Sequence, residues 1–495
     1  MRHMIRAWRS RAILTSLTGM VLLAGCSVVR DRTPAGLTLP AAYSAQTAVV
    51  SLPEHQADWR LFGNAELAEL IAMANTGAFD LAAAMARVRQ AEAYARIAGA
   101  PLLLPQVDAT ASAGRSRTDD YTASNYGAGL SASYEIDVWG GNAAARDAAL
   151  ASLAATRYAS DTVQLTLAAS VATTWMQTVG ARERTAIARL NLEAAERVLA
   201  LVDTRWRAGM ATPLERAQQR GLVATQRQAL AAREREARDA QAALALLVGR
   251  APQDLVVRTA RLDAIAAIAI APGVPADLLA RRPDVALAER ALAAADANVA
   301  VARAALLPRL TLTAGAGVGH DRIRGLFDNP LYNLAAGLTA PIFDAGRLSG
   351  ARDVSLAQRE ELLADYRAAI INAIGDVALA LNAIDGLAHQ RQAQDEALTQ
   401  AREAARLAAS RYRFGAETLL TVLDAQRTLY AAQDDAAVLR LEQLQADVAL
   451  FKAAGGDWRA GAPPAAAVGK APAFAADEPK DGPVADARSR FPVTR

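Results

Sequence analysis

The chain has 495 residues, of which 53% are hydrophobic, and its 54 Lys and Arg nearly balance its 51 Asp and Glu. This balance leaves no excess of basic charge for a nucleic-acid partner. A single cysteine excludes internal disulfides and Cys-based zinc or iron–sulfur sites, and the four histidines lie too far apart in the sequence for a metal site. No Gly-rich phosphate loop opens a helix after a strand, so the sequence predicts no enzyme, no bound cofactor and no metal.

The N-terminus has the form of a secretory signal, in which a basic stretch precedes an apolar core from Ala12 to Ala24. That core is too short for a permanent transmembrane helix. It ends in Leu23-Ala24-Gly25-Cys26, which resembles the lipobox of bacterial lipoproteins. The resemblance implies removal of residues 1–25, a covalent lipid on Cys26 and a lipid-anchored segment over residues 26–60. Ser27, in place of the Asp that commonly retains lipoproteins in the inner membrane, favours the outer membrane. The alternative is an ordinary signal peptide beside a stray thiol.

The rest of the chain reads as two structural repeats, over residues 61–260 and 261–460. Three motifs recur in the same order roughly two hundred residues apart. The first pair is Leu104-Pro105-Gln106 with Leu307-Pro308-Arg309. The second pair is Asp137-Val138-Trp139-Gly140 with Asp344-Ala345-Gly346. The third pair is Arg205-Trp206-Arg207-Ala208-Gly209 with Arg411-Tyr412-Arg413-Phe414-Gly415.

Each repeat contains two segments in which apolar residues alternate with polar or small ones, a pattern typical of strands with one apolar face. The predicted strands span about 104–116, 126–138, 309–319 and 331–343. Each is long enough to cross a bilayer as one tilted strand of a barrel. The alternative is a pair of amphipathic hairpins on a soluble domain.

Long helices are predicted after each strand pair, because no proline occurs between Pro105 and Pro213 or between Pro341 and Pro463. Helix-forming residues fill these stretches, and apolar residues such as Ile370, Ile374 and Val377 follow coiled-coil spacing. In the first repeat the predicted opening, long and return helices span Leu67–Gly99, Asn142–Thr204 and Pro213–Val248. In the second repeat they span Pro275–Leu306, Arg347–Ser410 and Thr418–Ala454. The tail over residues 461–495, rich in Ala and Pro, is predicted to be disordered.

Four strands cannot close a transmembrane barrel, and a sheet edge exposed to lipid is costly because its backbone groups find no water there. Identical copies must therefore share one barrel, most simply with cyclic symmetry. The predicted fold class is an α+β membrane protein with an internal two-fold repeat. Its four strands per chain contribute to an oligomeric outer-membrane β-barrel, which a long α-helical coiled coil continues into the periplasm.

The chain resembles the TolC-like and NodT-like outer-membrane factor family of tripartite efflux systems, from about Leu61 to Gly455. The resemblance lies in Leu279-Ala280-Arg281-Arg282-Pro283-Asp284, the Pro-Ile-Phe-Asp-Ala-Gly-Arg run from Pro341, and Arg411-Tyr412-Arg413-Phe414-Gly415 leading to Val422-Leu423-Asp424-Ala425-Gln426. It implies a lipid-anchored homotrimer in the cell outer membrane, with a periplasmic adaptor protein and an inner-membrane pump of the resistance-nodulation-division type as partners.

The same resemblance implies a periplasmic tip that is closed by polar and charged contacts. Asp424 matches an acidic residue that faces the pore in this family, whereas Thr421 replaces a second acid that is often present. Glu417 stands where some relatives have a basic residue, and Arg411 and Arg413 are candidate partners for these acids. The alternative for Asp424 is a solvated helix face.

Two further positions have both a functional and a structural interpretation. Arg207, with Arg413, either takes part in gating or interacts favourably with a helix C-terminus. Trp139 either anchors the barrel at the membrane interface or packs at the junction of strand and helix.

The leading functional prediction is a passive exit duct for small molecules, with the pump supplying the energy. A duct for protein secretion by a type I system is the alternative on the same architecture. A lipoprotein spacer formed by a coiled coil without a pore is the alternative of a different class.

Overall fold

The computed structural model describes residues 34–40, 42–43, 59–119, 121–268 and 275–458. The predicted signal sequence, the lipidation site Cys26 and the tail over residues 461–495 lie outside these residues. The longer helices are α1 Ala65–Gly77, α2 Phe79–Leu103, α3 Gly141–Arg207, α4 Pro213–Leu247, α5 Pro283–Ala304, α6 Arg347–Arg413 and α7 Leu419–Ala453, and a single helical turn, Leu278–Arg281, precedes α5. The strands are β1 Gln106–Arg117, β2 Thr122–Ile136, β3 Arg309–His320 and β4 Pro330–Thr339.

Each opening helix is divided in two, where the sequence predicted one continuous helix. In the first repeat Ala78 is extended, and the axes of α1 and α2 differ by 48°. Gly77 lies so close to the carbonyl oxygen of Val248 that an added Cβ would be only 2.8 Å from it. In the second repeat Arg282 is extended because it precedes Pro283, which clashes with a helical neighbour.

The two long helices, α3 and α6, each have 67 residues and therefore extend about 100 Å. Their first turns are capped from outside the helix by the repeated aspartates. Asp137 accepts hydrogen bonds from the amides of Asn142 and Ala143, and Asp344 accepts them from Gly346 and Leu348. These carboxylates satisfy amides that have no partner within the helix and favour its positive end.

The four strands form one antiparallel sheet in the order β1-β2-β3-β4. Strand β4 ends at Thr339, four residues before the predicted end, and β2 begins at Thr122, four residues before the predicted start. β1 and β4 are the edge strands, and each has only one strand neighbour among the described residues.

The main core lies where α1, α3, α6 and α7 meet the connecting segment around Leu255–Ile265. Trp175 is fully buried there, and its indole nitrogen donates to the carboxylate of Glu66, which also accepts a hydrogen bond from the amide of Thr259. A second core, around Val202, fills the space between the ends of the long helices.

One stretch of 18 residues within α6 is long and apolar enough to cross a membrane, with a mean hydropathy of 1.5. The bent pair of α1 and α2 meets the same criterion when the two helices are taken together. Only 28% of the α6 stretch is buried within the chain. In this fold the stretch belongs to a long packed helix, so its exposed apolar surface is available for packing against another chain.

Candidate functional site

The first part of the site is the apolar face of the sheet. The strand register aligns the alternating apolar positions of all four strands into rows across this face. Two such rows are Val107, Ala132, Ala314 and Leu334, and Ala109, Leu130, Ala316 and Tyr332. Leu334 and Tyr332 are 83% and 80% exposed, so none of the residues that the structure describes covers this edge of the face. A contiguous apolar face of this kind marks contact with a membrane or a partner.

The opposite face is polar or small. Asp108, Ser131, Gly315 and Asn333 occupy one row of it, in register with each other. A sheet that is apolar on one face and polar on the other fits the wall of a barrel between lipid and a water-filled lumen.

Trp139 lies at the junction between β2 and α3, where it is half-buried. Its indole nitrogen donates a hydrogen bond to the carbonyl oxygen of Pro308, at 2.6 Å. The contact joins the end of the first hairpin to the start of the second, so Trp139 has a packing role at this junction. The role of Trp139 as an anchor at the membrane interface stays a prediction.

The second part of the site is the tip, where each long helix turns into its return helix. Both turns have the same backbone structure. Gly209 and Gly415 adopt positive φ values of 74° and 77°. In the first turn the amide of Met210 donates to the carbonyl oxygen of Arg205, at 2.8 Å, and in the second the amide of Ala416 donates to that of Arg411, at 2.9 Å. These hydrogen bonds complete a Schellman cap in each turn. The repeated Arg-aromatic-Arg motif thus encodes a tight helix reversal.

The first return helix begins with a reciprocal capping box, in which Thr212 and Glu215 each accept the other's amide hydrogen bond. The second return helix has Thr421 where the first has Glu215, so it lacks this box. Its N-cap Thr418 accepts only the longer hydrogen bond from the amide of Thr421, at 3.4 Å.

Glu417 supplies the missing negative charge at the second turn. One carboxylate oxygen accepts from the Thr418 amide and from the Thr421 hydroxyl, both at 3.1 Å. The other oxygen lies 3.6 Å from the Arg411 guanidinium. The Thr418 hydrogen bond, with smaller contributions from Thr421 and Arg411, lowers the pKa of Glu417. The structure thus brings Arg411, Glu417 and Thr421 together within one turn.

The other predicted tip residues do not join this cluster. Asp424 is exposed on α7, about 9 Å along the helix axis from Thr418, and its carboxylate makes no ion pair with the residues that the structure describes. Arg413 is exposed and also makes no ion pair there. Arg207 donates to the carbonyl oxygen of Asp203, at 3.2 Å, within its own helix end.

The two turns contact each other through Arg205 and Tyr412, a pair that the sequence analysis did not single out. The Arg205 guanidinium lies 4.6 Å from the centre of the Tyr412 ring and donates to the Tyr412 carbonyl oxygen, at 2.5 Å. Tyr412 is only 2% exposed. Both residues belong to the repeated Arg-aromatic-Arg motif, so the motif contained the signal for this contact.

A second connection between the hairpins lies farther from the tip and involves Asp434 of α7. Arg184 of α3 binds both of its carboxylate oxygens, each at 2.7 Å, and Arg233 of α4 lies 2.9 Å from one of them. Burial opposes ionisation, but the hydrogen bond and the charge of Arg184 lower the pKa of Asp434 below its usual range. One carboxylate therefore ties three helices together.

Among the described residues, no group of three or more His, Cys, Asp or Glu side chains is arranged to hold a metal ion.

These features define a class of protein. The sheet has a lipid-compatible face but two open edges, and it continues into helical hairpins about 100 Å long. Such a chain is a subunit of a channel that several chains build together. A family model described as "Outer membrane efflux protein" matches residues 70–250 and 274–456. The chain belongs to this family of outer-membrane efflux channels.

Similar proteins extend over nearly the whole chain. The "Pyoverdine export outer membrane protein OpmQ" of Pseudomonas putida is 50% identical over 443 residues, which cover 87% of this chain and 93% of that protein. The "Toluene efflux pump outer membrane protein TtgF" of Pseudomonas putida is 34% identical, covering 90% of this chain and 96% of that protein.

A solved structure of the open state of the MtrE outer membrane channel of Neisseria gonorrhoeae is 28% identical with a TM-score of 0.80, covering 87% of this chain and 98% of that one. The family and the fold class predicted from the sequence motifs are confirmed by these similarities.

Proposed function

We propose that three copies of this chain form a duct through the outer membrane, with four strands from each copy in one closed barrel. The observation that carries the proposal is the pair of open edges on β1 and β4 beside an exposed apolar face. Closure removes both edges, since β4 of one copy pairs with β1 of the next. The long helices continue the barrel as a tube in the periplasm.

Planar-bilayer recording with the purified full chain tests the duct. Discrete conductance steps support it, whereas a protein that inserts without conducting, or that does not insert, would leave only the coiled-coil spacer. The size of the oligomer in detergent is measured on the same preparation, and three copies are expected.

The duct is passive and receives its cargo from a periplasmic adaptor and an inner-membrane pump of the resistance-nodulation-division type. This part of the proposal is supported by relatives whose names describe efflux-pump components. Co-purification of the tagged chain with an adaptor encoded beside it tests the assembly. Recovery instead of a transporter with an ATP-binding cassette and a secreted protein would favour type I secretion.

The cargo proposed is a small molecule of the siderophore class. Two relatives named for pyoverdine export are 50% and 48% identical to this chain, whereas those named for toluene efflux are 33% and 34% identical. The test is to express the chain in a Pseudomonas putida strain that lacks its pyoverdine export outer membrane protein and to measure pyoverdine in the medium. Absence of pyoverdine from the medium, with the chain present in the outer membrane, would contradict this choice of cargo.

Asp424 is proposed to face the pore at the tip, where three copies would form a ring of carboxylates. Its exposure and its lack of an ion-pair partner in the described residues support this placement. Such a ring attracts cations and repels anions. The Asp424→Asn variant should therefore shift the reversal potential in a salt gradient towards lower cation selectivity. Asp435→Asn, another exposed acid of α7, is the matched control.

The lipid anchor is proposed at Cys26, on the evidence of the lipobox-like sequence. Labelled palmitate should be incorporated into the wild-type protein and not into Cys26→Ser. Equal labelling of both would place the lipid elsewhere.

A further inference from the structure

A cavity of about 430 Å³ lies away from the sheet and the tip, between α3 and α6 and above one face of α7. The connecting segment around Arg261 covers one end of it. Ile187 and Leu190 of α3, with Leu398 of α6, form an apolar side. The charged part of the lining consists of four arginines and three carboxylates, namely Arg261, Arg391, Arg402, Arg440, Glu183, Asp263 and Asp395. Its volume and its mixed lining are those of a site for a small organic molecule.

The acidic residues of the lining neutralise only part of this positive charge. Arg261 lies 3.8 Å from Glu183 and 3.2 Å from Asp263. Arg391 lies 3.8 Å from Asp395. In contrast, Arg402 and Arg440 have no carboxylate within 4.0 Å among the residues that the structure describes. The cavity therefore contains two guanidinium groups that make no ion-pair contact with a carboxylate of the described residues, although the charges of Asp263, Asp447 and Glu183 act on Arg440 from farther away.

Arg440 and Arg391 also converge on the same neutral oxygen. Their guanidinium groups donate to Oε1 of Gln443, at 3.2 and 2.7 Å. Arg440 makes one further hydrogen bond, to the carbonyl oxygen of Ile265, and its Nε is buried without an acceptor. Burial, and then the charge of Arg391, lower the pKa of Arg440. The charges of Asp263, Asp447 and Glu183 offset part of the repulsion between the two arginines, and a bound anion would offset more of it.

Gln433, which also lines the cavity, has a second unpartnered polar atom. Its side-chain oxygen is buried and accepts no hydrogen bond from the residues that the structure describes. A buried polar atom without a partner carries a desolvation cost that a ligand donor removes. The orphan Nε of Arg440 requires an acceptor, and Gln433 requires a donor such as a hydroxyl or an amide.

We propose that this cavity binds an organic anion, whose carboxylate or phosphate group lies against Arg440 and Arg402 and whose apolar part lies along Ile187 and Leu190. Hydrogen bonds from guanidinium to an oxyanion are stronger than neutral ones, and partial burial strengthens them further. The cavity is lined by residues of one chain and lies away from the sheet and the tip, so anion binding is measured separately from conductance.

Isothermal titration calorimetry of the purified full chain in detergent at low salt tests the site. The probes are 3-phenylpropionate and phenyl phosphate, and 3-phenylpropanol is the neutral control. Each is first titrated into protein-free micelles. Saturable binding of at least one anion at one site per chain is expected, with no saturable binding of the alcohol. Comparison of the two anions shows whether the site accepts a carboxylate, a phosphate or both.

Arg440→Gln and Arg402→Gln should each weaken anion binding at least tenfold. Arg402 is exposed, so its substitution preserves the fold even if loss of the Arg440 contact to Ile265 disturbs the connecting segment. Arg427→Gln, which removes an exposed charge from α7 outside the cavity, should leave binding unchanged. No saturable anion binding, equal binding of the alcohol, or an equal loss in Arg427→Gln would each overturn the proposal.

Discussion

Asp434 holds the two helical hairpins together, and its replacement by Asn tests this directly. The substitution removes the charge on which Arg184 and Arg233 converge, at 2.7 and 2.9 Å. The three side chains are only 20–27% exposed, so these pairs are screened less than surface salt bridges. A hydrogen bond to a charged group contributes about 1.5–3 kcal/mol. Without Asp434, Arg184 keeps only the more distant Glu236, at 3.9 Å, and Arg233 keeps Glu236, at 2.8 Å.

We therefore expect Asp434→Asn to lower the free energy of unfolding by about 2–4 kcal/mol, less than the loss of a fully buried pair. Because the folded-state pKa of Asp434 is lowered, its stabilisation is complete above the ordinary carboxyl pKa of about 4 and is lost as the pH falls through the lower folded value. The difference between wild type and Asp434→Asn should accordingly be full at pH 7 and should shrink as the pH falls from the ordinary carboxyl pKa through the lowered folded value.

The assay is the rate of unfolding of the purified protein in detergent at a fixed denaturant concentration, because large assemblies seldom unfold in two states. Asp435→Asn is the control, since Asp435 is exposed and makes no ion pair within 4.0 Å in the described chain. A double-mutant cycle with Arg184→Gln isolates the pair. The reasoning fails if Asp434→Asn unfolds at the rate of Asp435→Asn, or if its effect and that of Arg184→Gln are additive.

Three further predictions use thermal unfolding. Gly415→Ala should lower the free energy of unfolding by about 1–2 kcal/mol, because φ at Gly415 is 77°. Gly221→Ala, on an open helix face, should raise it by up to ~1 kcal/mol. Equal effects of the two substitutions would contradict the turn geometry. Trp175→Ala should lower the free energy of unfolding by about 3–5 kcal/mol, because Trp175 is fully buried. A decrease below ~1 kcal/mol would contradict this burial. Burial raises the pKa of Asp447 to about 6. The wild-type protein should therefore gain stability relative to Asp447→Asn as the pH falls from ~7.5 to ~5. A stability difference that does not change with pH would refute this prediction.

Much of the fold could be predicted from local patterns. Strands were evident because apolar and small residues alternate, and long helices because prolines are absent over about a hundred residues at a time. The division of the second opening helix was also present in the sequence, since Arg282 precedes Pro283. The division at Ala78 could not be predicted from the local sequence, because it accompanies a contact between Gly77 and the distant Val248.

The candidate site was less accessible to sequence reasoning. Glu417 was assigned by motif position to the gate, whereas its described contacts are those of a turn-stabilising carboxylate. The local pattern around Asp434 did not indicate its role in joining the hairpins, because its partners Arg184 and Arg233 are about two hundred or more residues away. In the sequence each of these arginines resembles an ordinary solvated charge on a helix. Contacts of this kind follow from how helices are arranged, and periodicity does not specify that arrangement.

Pairing of β4 with β1 of another copy is the central claim, and disulfide cross-linking measures it most directly. The native chain has one cysteine, so a Cys26→Ser background carrying one cysteine on each edge strand, scanned along β4, gives an unambiguous readout. Within one chain β1 and β4 are separated by two strands, about 14 Å, which no disulfide can bridge. We predict covalent dimers and trimers, with no larger species, at one register of the scan. Monomers alone at every register would contradict the shared barrel.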